Sequence, residues 1–163
     1  AGLRLTHLSL GDSLVEDLSP LRGMRLSSLF LEYTKVADLS PLRGMPLTQL
    51  ILHHTRVRDL SPLEGLPLNH LNLDATEVED LSPLKGMPLR ELTLHECPNL
   101  RDLTPLAQCV ELERLSIPKQ CQEIDFLRRL PKLRSLDNQE HHDWRKTAAE
   151  FWREYDAAKT QKD

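Results

Sequence analysis

Leucines recur along the chain in a Leu-x-x-Leu-x-Leu pattern with a nearly constant interval. Successive copies are 21, 21, 21, 21, 23 and 21 residues apart. A fixed period of this length is typical of a repeat architecture, in which each unit stacks on the next. The sequence therefore predicts a solenoid of about six coils. The copies begin at Leu5, Leu26, Leu47, Leu68, Leu89 and Leu112, with a degraded copy at Leu133.

Each unit predicts one short strand. The second and third leucines of the pattern are two residues apart, so in a strand both side chains point to the same side. Strands that return every 21 residues would lie side by side in a parallel sheet. A single coil cannot enclose its apolar positions, whereas stacked coils bury them between neighbours.

The segment after each strand predicts a turn and a short helix, as in residues 38–46. Ser40 is a suitable N-cap, and Pro41 suits the first helical position. Gly44 supplies the left-handed residue that ends the helix. Pro46 stiffens the return to the next strand.

Two further columns of the repeat carry polar side chains, and we interpret both as structural. The ninth position predicts an internal ladder between the bends of neighbouring coils, because buried backbone groups need partners. The aspartates precede each turn and can accept hydrogen bonds from its amides, so a row of catalytic acids is disfavoured. The columns are Ser13, Thr34, Thr55, Thr76 and Cys97, and Asp17, Asp38, Asp59, Asp80 and Asp102.

The unit L-x-x-L-x-L-x-x-T-x-V-x-D-L-S-P-L-x-G-M-P resembles the leucine-rich repeat, with threonine where that family usually has asparagine. The short coil with "DLSPL" is similar to bacterial repeats of the internalin type. The form "LSPLKGMPL" resembles repeats in large planctomycete-type proteins, several of which carry serine/threonine kinase domains. The resemblance covers residues 2 to about 138. It implies an α/β leucine-rich repeat solenoid, with a short-stranded parallel sheet on the concave face and helical turns on the convex face.

Two regions follow from the pattern: a solenoid over residues 1–138, and a linker with an amphipathic capping helix over residues 139–163. The opening "AGLRL" matches "RGMRL" at the end of a unit, which predicts that the chain is a piece of a longer protein. The alternative is a first coil that is covered by dimerisation. Solenoid ends otherwise need polar caps.

The final segment has helical periodicity and an aromatic face. Asp143 could begin the helix, and Thr147 could begin it instead, because Thr147 and Glu150 form a Thr-x-x-Glu capping box. The aromatic face is expected to cover the last coil, although a helix that docks into a partner is the alternative. The face comprises Trp144, Ala148, Phe151 and Tyr155, with Trp152 beside them.

Outward strand positions form the concave face, where the sequence predicts a partner-binding surface. Phe30 and Ile51 should lie side by side, about 4.8 Å apart, with Tyr33 and His54 beside them. An apolar and aromatic patch within a polar face is a common anchor of a protein interface. The predicted binding residues are Phe30, Tyr33, Ile51, His53, His54, His70, Asn72, Asp74 and His95.

His53, Asp74 and His95 occupy one column in successive coils and carry ligand types that zinc accepts. However, His53 and His95 are two strand spacings apart, so the pattern does not require convergence on one ion. We therefore expect solvated polar residues and no cofactor. His141, His142 and Asp143 are a weaker cluster, better interpreted as the approach to the helix.

Composition narrows the classes of function. The net charge of −4 disfavours a nucleic-acid binder, and no apolar run is long enough to span a membrane. The three cysteines favour free thiols, and with them a cytoplasmic location, although a Cys97–Cys121 disulfide is conceivable.

The sequence predicts a non-catalytic module that binds a protein partner. The resemblance implies a sensor or scaffold segment of a larger bacterial signalling protein. A structural spacer and a His/Asp metal-dependent site are the alternatives.

Overall fold

The chain folds into stacked coils that contribute one strand each to a single parallel sheet. A computed structural model describes residues 5–138 and 146–160. Within them the sheet has seven strands in sequence order, and the degraded repeat at Leu133 supplies the last of these. The strands are β1 (His7–Ser9), β2 (Ser28–Phe30), β3 (Gln49–Ile51), β4 (His70–Asn72), β5 (Glu91–Thr93), β6 (Arg114–Ser116) and β7 (Ser135–Asp137).

The leucine period sets the register of the sheet. Leu50 in β3 pairs with Leu29 of β2 and Leu71 of β4, so equivalent leucines form one internal row. Leu29 and Leu50 have no solvent exposure, and Leu71 is 1 % exposed. The core is therefore a continuous column of leucine shared between coils, as predicted for a solenoid.

The predicted convex helices are 3₁₀ helices. In the second coil, Leu42 N–H donates to Leu39 O at 2.9 Å, a contact that closes the tight turn. Gly44 has φ +69° with nothing within 4 Å of an added Cβ, so its backbone angle rather than space requires glycine. The 3₁₀ helices are Ser19–Leu21, Ser40–Leu42, Ser61–Leu63, Ser82–Leu84, Thr104–Gln108 and Asp125–Arg129.

The serine of the turn is not the N-cap that the sequence predicts. Ser40 lies inside its 3₁₀ helix, and the residue before it, Leu39, makes no side-chain capping bond. Instead, Asp38 Oδ1 accepts the Ser40 backbone N–H at 2.8 Å. The aspartate therefore organises the turn, which confirms the structural interpretation of that column.

The ninth-position hydroxyls each close the bend of their own coil. Thr34 Oγ1 donates to Leu31 O at 2.7 Å, three residues back in the same coil. The predicted ladder between coils is therefore wrong for Thr34 and Thr55, whereas Thr76 Oγ1 lies 3.6 Å from Cys97 Sγ of the next coil. The ladder holds at Cys97, whose thiol contacts Leu73 O of the preceding coil at 3.2 Å.

A C-terminal helix, α1 (Ala148–Thr160), covers the last coil. Phe151 and Trp152 are buried in the solenoid core at 3 % and 9 % exposure. Ala148 N–H donates to Arg134 O at 2.8 Å, which ties the helix to the final coil. These contacts confirm a capping helix.

The helix begins at the predicted capping box. Thr147 Oγ1 accepts the Glu150 N–H at 3.2 Å, and Glu150 Oε2 accepts the Thr147 N–H at 2.8 Å. The alternative start at Asp143 lies outside the described residues, as do Trp144 and the cluster at His141 and His142. No helix in the described ranges is sufficiently long and apolar to cross a membrane.

Candidate functional site

The concave face carries an apolar pair where β2 and β3 meet. Phe30 pairs with Ile51 in the parallel register, as the leucine period predicts. Both side chains are half-buried rather than fully exposed. The pair presents a continuous apolar strip across two coils.

Three rings cluster beside this pair. The Tyr33 and His54 rings are stacked, with centroids 4.6 Å apart and planes 12° apart. The His53 ring lies edge-on to Tyr33, with centroids 5.0 Å apart. Tyr33 is 53 % exposed, so much of its ring remains available for contact. We refer to Phe30, Tyr33, Ile51, His53 and His54 as the concave patch.

The backbone fixes the orientation of two patch residues. Tyr33 and His54 both have φ +55°, in the left-handed region. This angle turns the chain away from the sheet while the ladder of hydrogen bonds continues: Tyr33 N–H donates to His53 O at 3.0 Å, and His54 N–H donates to Asp74 O at 2.9 Å. The rings are therefore carried on bends whose backbone is hydrogen-bonded to the next coil.

The other four predicted residues are engaged in local contacts beyond the patch. His70 Nδ1 lies 2.5 Å from Asn69 Oδ1. Asn72 Oδ1 accepts the Asp74 N–H at 2.9 Å, and Asp74 Oδ1 accepts the His95 N–H at 2.7 Å. His95 is only 7 % exposed, so its side chain offers little contact area.

The third position of the repeat, which is the first residue of each strand, adds a charged row on the C-terminal half of the face. Arg114 forms an ion pair with Glu91, and His70 Nε2 lies 3.8 Å from the same carboxylate. Charges in this half are therefore paired across neighbouring strands. Such partly exposed pairs orient side chains more than they stabilise the fold.

The His53, Asp74 and His95 column does not form a metal centre. Among the residues that the structure describes, no group of three or more His, Cys, Asp or Glu side chains is arranged to hold one ion. The Asp74 Oδ1 atom already accepts the His95 backbone N–H. Asp74 instead supports the backbone that follows β5.

The cysteines are buried thiols and not a disulfide. All three, Cys97, Cys109 and Cys121, are free. Burial raises the pKa of Cys97 and Cys109, and it raises the pKa of Cys121 to about 11. Because thiolate is the reactive form, these groups have the character of core residues rather than nucleophiles.

Sequence reasoning missed one feature next to the patch. The Glu32 side chain folds over Gly11, where an added Cβ would be 2.6 Å from Glu32 Cδ. The Glu32 Oε2 atom is buried and has no hydrogen-bond partner within the described ranges. The sequence did carry a signal for this contact. Gly11 and Glu32 both occupy the seventh position of the repeat, so they lie side by side in neighbouring coils.

These coils, with a strand, a tight convex turn and a shared leucine core, define a leucine-rich repeat solenoid. The chain is a leucine-rich repeat protein with short, internalin-like coils. Neither a protein-family model nor a curated protein matches the sequence. The chain is, however, similar to solved structures.

Two internalins from Listeria monocytogenes strain 4b F2365 illustrate that similarity. The chain is 30 % identical to the internalin inlF with a TM-score of 0.75, covering 81 % of this chain and 40 % of that one. It is 26 % identical to internalin C2 (inlC2) with a TM-score of 0.61, covering 83 % and 71 % of the two chains. The chain thus spans less than half the length of inlF. The similarity supports protein interaction as the general class of function.

Proposed function

We propose that the chain is a non-catalytic recognition module that binds a protein partner through the concave patch. The observation that carries this proposal is the Phe30–Ile51 pair, held in register beside the exposed, stacked ring of Tyr33. Aromatic and aliphatic side chains dominate the binding energy of protein interfaces. Their presentation on a rigid sheet avoids the cost of ordering the surface on binding.

The patch is the centre of the proposed surface, and the paired charges of β4 to β6 form its rim. Charged pairs at a rim favour the correct partner and its orientation more than they add affinity. His70, Asn72 and Asp74 border the patch on this side. We further propose that the module serves as a sensor or scaffold segment of a larger bacterial signalling protein, as its repeat type suggests.

Site-specific photo-crosslinking tests the proposal. A benzophenone amino acid replaces Phe30 in one variant and Glu64 in the control variant. Glu64 is exposed and follows the convex 3₁₀ helix Ser61–Leu63. We expect a discrete protein adduct from position 30 in source-cell extract, and none from position 64.

Competition with unlabelled protein identifies specific adducts. Excess wild-type chain should suppress the adduct, whereas the F30A/I51A double variant should not. A structural spacer predicts no adduct at position 30 beyond that at position 64, and that result would exclude the proposed role for this face.

A further inference from the structure

Glu32, an acidic residue beside the concave patch, has a buried carboxylate oxygen that the fold does not require. Glu32 follows Phe30 by two residues, and the parallel register places it next to His53 of the patch. Its Oε2 atom is buried with no hydrogen-bond partner, and no ion pair to Glu32 occurs within residues 5–138 and 146–160. An unsatisfied buried carboxylate oxygen disfavours the folded state, because it loses hydration without compensation.

The chain provides room for this carboxylate. Gly11, the neighbour of Glu32 in the first coil, has no positive φ that would demand glycine, and an added Cβ would be 2.7 Å from Glu32 Oε1. The missing Cβ therefore creates the space in which the carboxylate rests. The repeat positions that face outward in the first three coils include Asp12 and Glu32 but no lysine or arginine.

The C-terminal half of the same face contrasts with this arrangement. Glu91 there is paired with Arg114 and lies near His70. The protein thus pairs an acidic group on one half of the face with its own cation, whereas no cation from residues 5–138 or 146–160 pairs with Glu32 on the other half. A partner's cation would complete the unpaired half.

From this contrast we infer that the partner presents a lysine or arginine next to an apolar side chain. The partner's apolar side chain packs on Phe30 and Ile51. The Glu32 side chain rotates outward, and its carboxylate then pairs with the partner's cation. The exposed Tyr33 ring is a second favourable surface for the cation. This inference rests on the proposed function of the patch and adds the chemistry of the ligand.

Selection from a display library of short random peptides tests the inference. Peptides are selected on the wild-type chain at near-neutral pH and counter-selected on the F30A/I51A variant. We expect the enriched sequences to contain lysine or arginine adjacent to an apolar residue. Fluorescence anisotropy of the synthesised peptides then measures their affinity for each variant.

The charge variants are E32Q, which keeps the size of the side chain, and the control E96Q, at an exposed glutamate of the fifth coil. We expect E32Q to weaken binding by about tenfold, since a hydrogen-bonded charge is lost, and E96Q to leave it unchanged. Circular dichroism confirms that each variant is folded.

The possible failures are distinct. Enriched peptides without basic residues, or equal affinity for wild type and E32Q, would overturn this inference while the patch keeps its proposed role. If no peptide is enriched on wild type relative to F30A/I51A, the proposed function fails and the inference with it.

Discussion

Asp38 Oδ1 accepts the backbone N–H of Ser40 at 2.8 Å, and Asp38 Oδ2 accepts the Ser40 hydroxyl at 2.9 Å. The same backbone bond recurs at Asp17, Asp59, Asp80 and Asp102. Five of the six 3₁₀ turns in the described residues therefore begin with an aspartate carboxylate that accepts a backbone N–H. The backbone bond is the main cause that holds the pKa of Asp38 below its ordinary value, and the Ser40 hydroxyl adds to it.

The variant D38A should lower the melting temperature by about 2–4 °C, since it removes a side-chain acceptor at the start of a turn. The matched variant D38N keeps an oxygen for the Ser40 N–H and should lose less. Thermal unfolding followed by circular dichroism measures both. Equal loss in D38N and D38A would show that charge, rather than the hydrogen bond, matters.

Three of these aspartates, Asp17, Asp38 and Asp80, predict loss of stability in acid, because hydrogen bonds from the serine two residues later lower the pKa of each. Their pKa is lower in the folded than in the unfolded chain, so their contribution is complete above the unfolded value, about 4. It declines as pH falls through the lower folded pKa. The fall in melting temperature over this range should be shallower for D38N than for wild type, because D38N has one fewer titrating carboxylate.

Leu50 and Leu14 provide a contrast between core and surface. Leu50 is fully buried in the internal row, whereas Leu14 is 81 % exposed. We expect L50A to lower the free energy of unfolding by about 3 kcal/mol, from lost burial and a cavity. L14A should change it by less than about 0.5 kcal/mol. Chemical denaturation measures both, and comparable losses would be inconsistent with a shared leucine core.

Two alanine-to-glycine changes, one in a left-handed bend and one in α1, should have opposite effects on the free energy of unfolding. Ala75 has φ +52°, so A75G should stabilise by about 0.5–1 kcal/mol as backbone strain is relieved. Ala149 lies within α1, where A149G should destabilise by about 1 kcal/mol. A destabilised A75G variant in chemical denaturation would contradict the strained bend.

The stability of the capping helix α1 should depend on the capping box at its first turn. T147A removes the hydroxyl that accepts the Glu150 N–H and should lower the free energy of unfolding by about 1 kcal/mol. T147S keeps the hydroxyl and serves as the control. If T147A matches wild type in urea denaturation, the capping box contributes nothing to the attachment of α1.

Much of the fold follows directly from the sequence, because one residue type repeated at one period leaves a single way to bury the leucines. The register of Phe30 with Ile51 follows from that constraint, and the capping face of Phe151 follows from the helical spacing of the aromatic residues. The sequence predicted the serine cap wrongly. Ser40 is a good N-cap for an α-helix, but the observed 3₁₀ helix begins one residue earlier than predicted and includes Ser40.

The bends were harder to predict. Tyr33 and Ala75 adopt left-handed angles that their residue types do not favour, because the ladder between coils outweighs local preference. Nor does the pattern give the unpaired Glu32 oxygen. Its environment depends on how a flexible side chain folds over Gly11, which a residue period does not encode.

The most direct test of the central claim is isothermal titration calorimetry with the partner that crosslinking identifies. It measures the affinity of that partner for wild type, for F30A/I51A and for the convex control E64A. We expect the double variant to bind at least about tenfold more weakly, because both apolar anchors are lost, while it still unfolds cooperatively. E64A should bind as wild type does. Unchanged affinity in a folded F30A/I51A protein would contradict recognition through the concave patch.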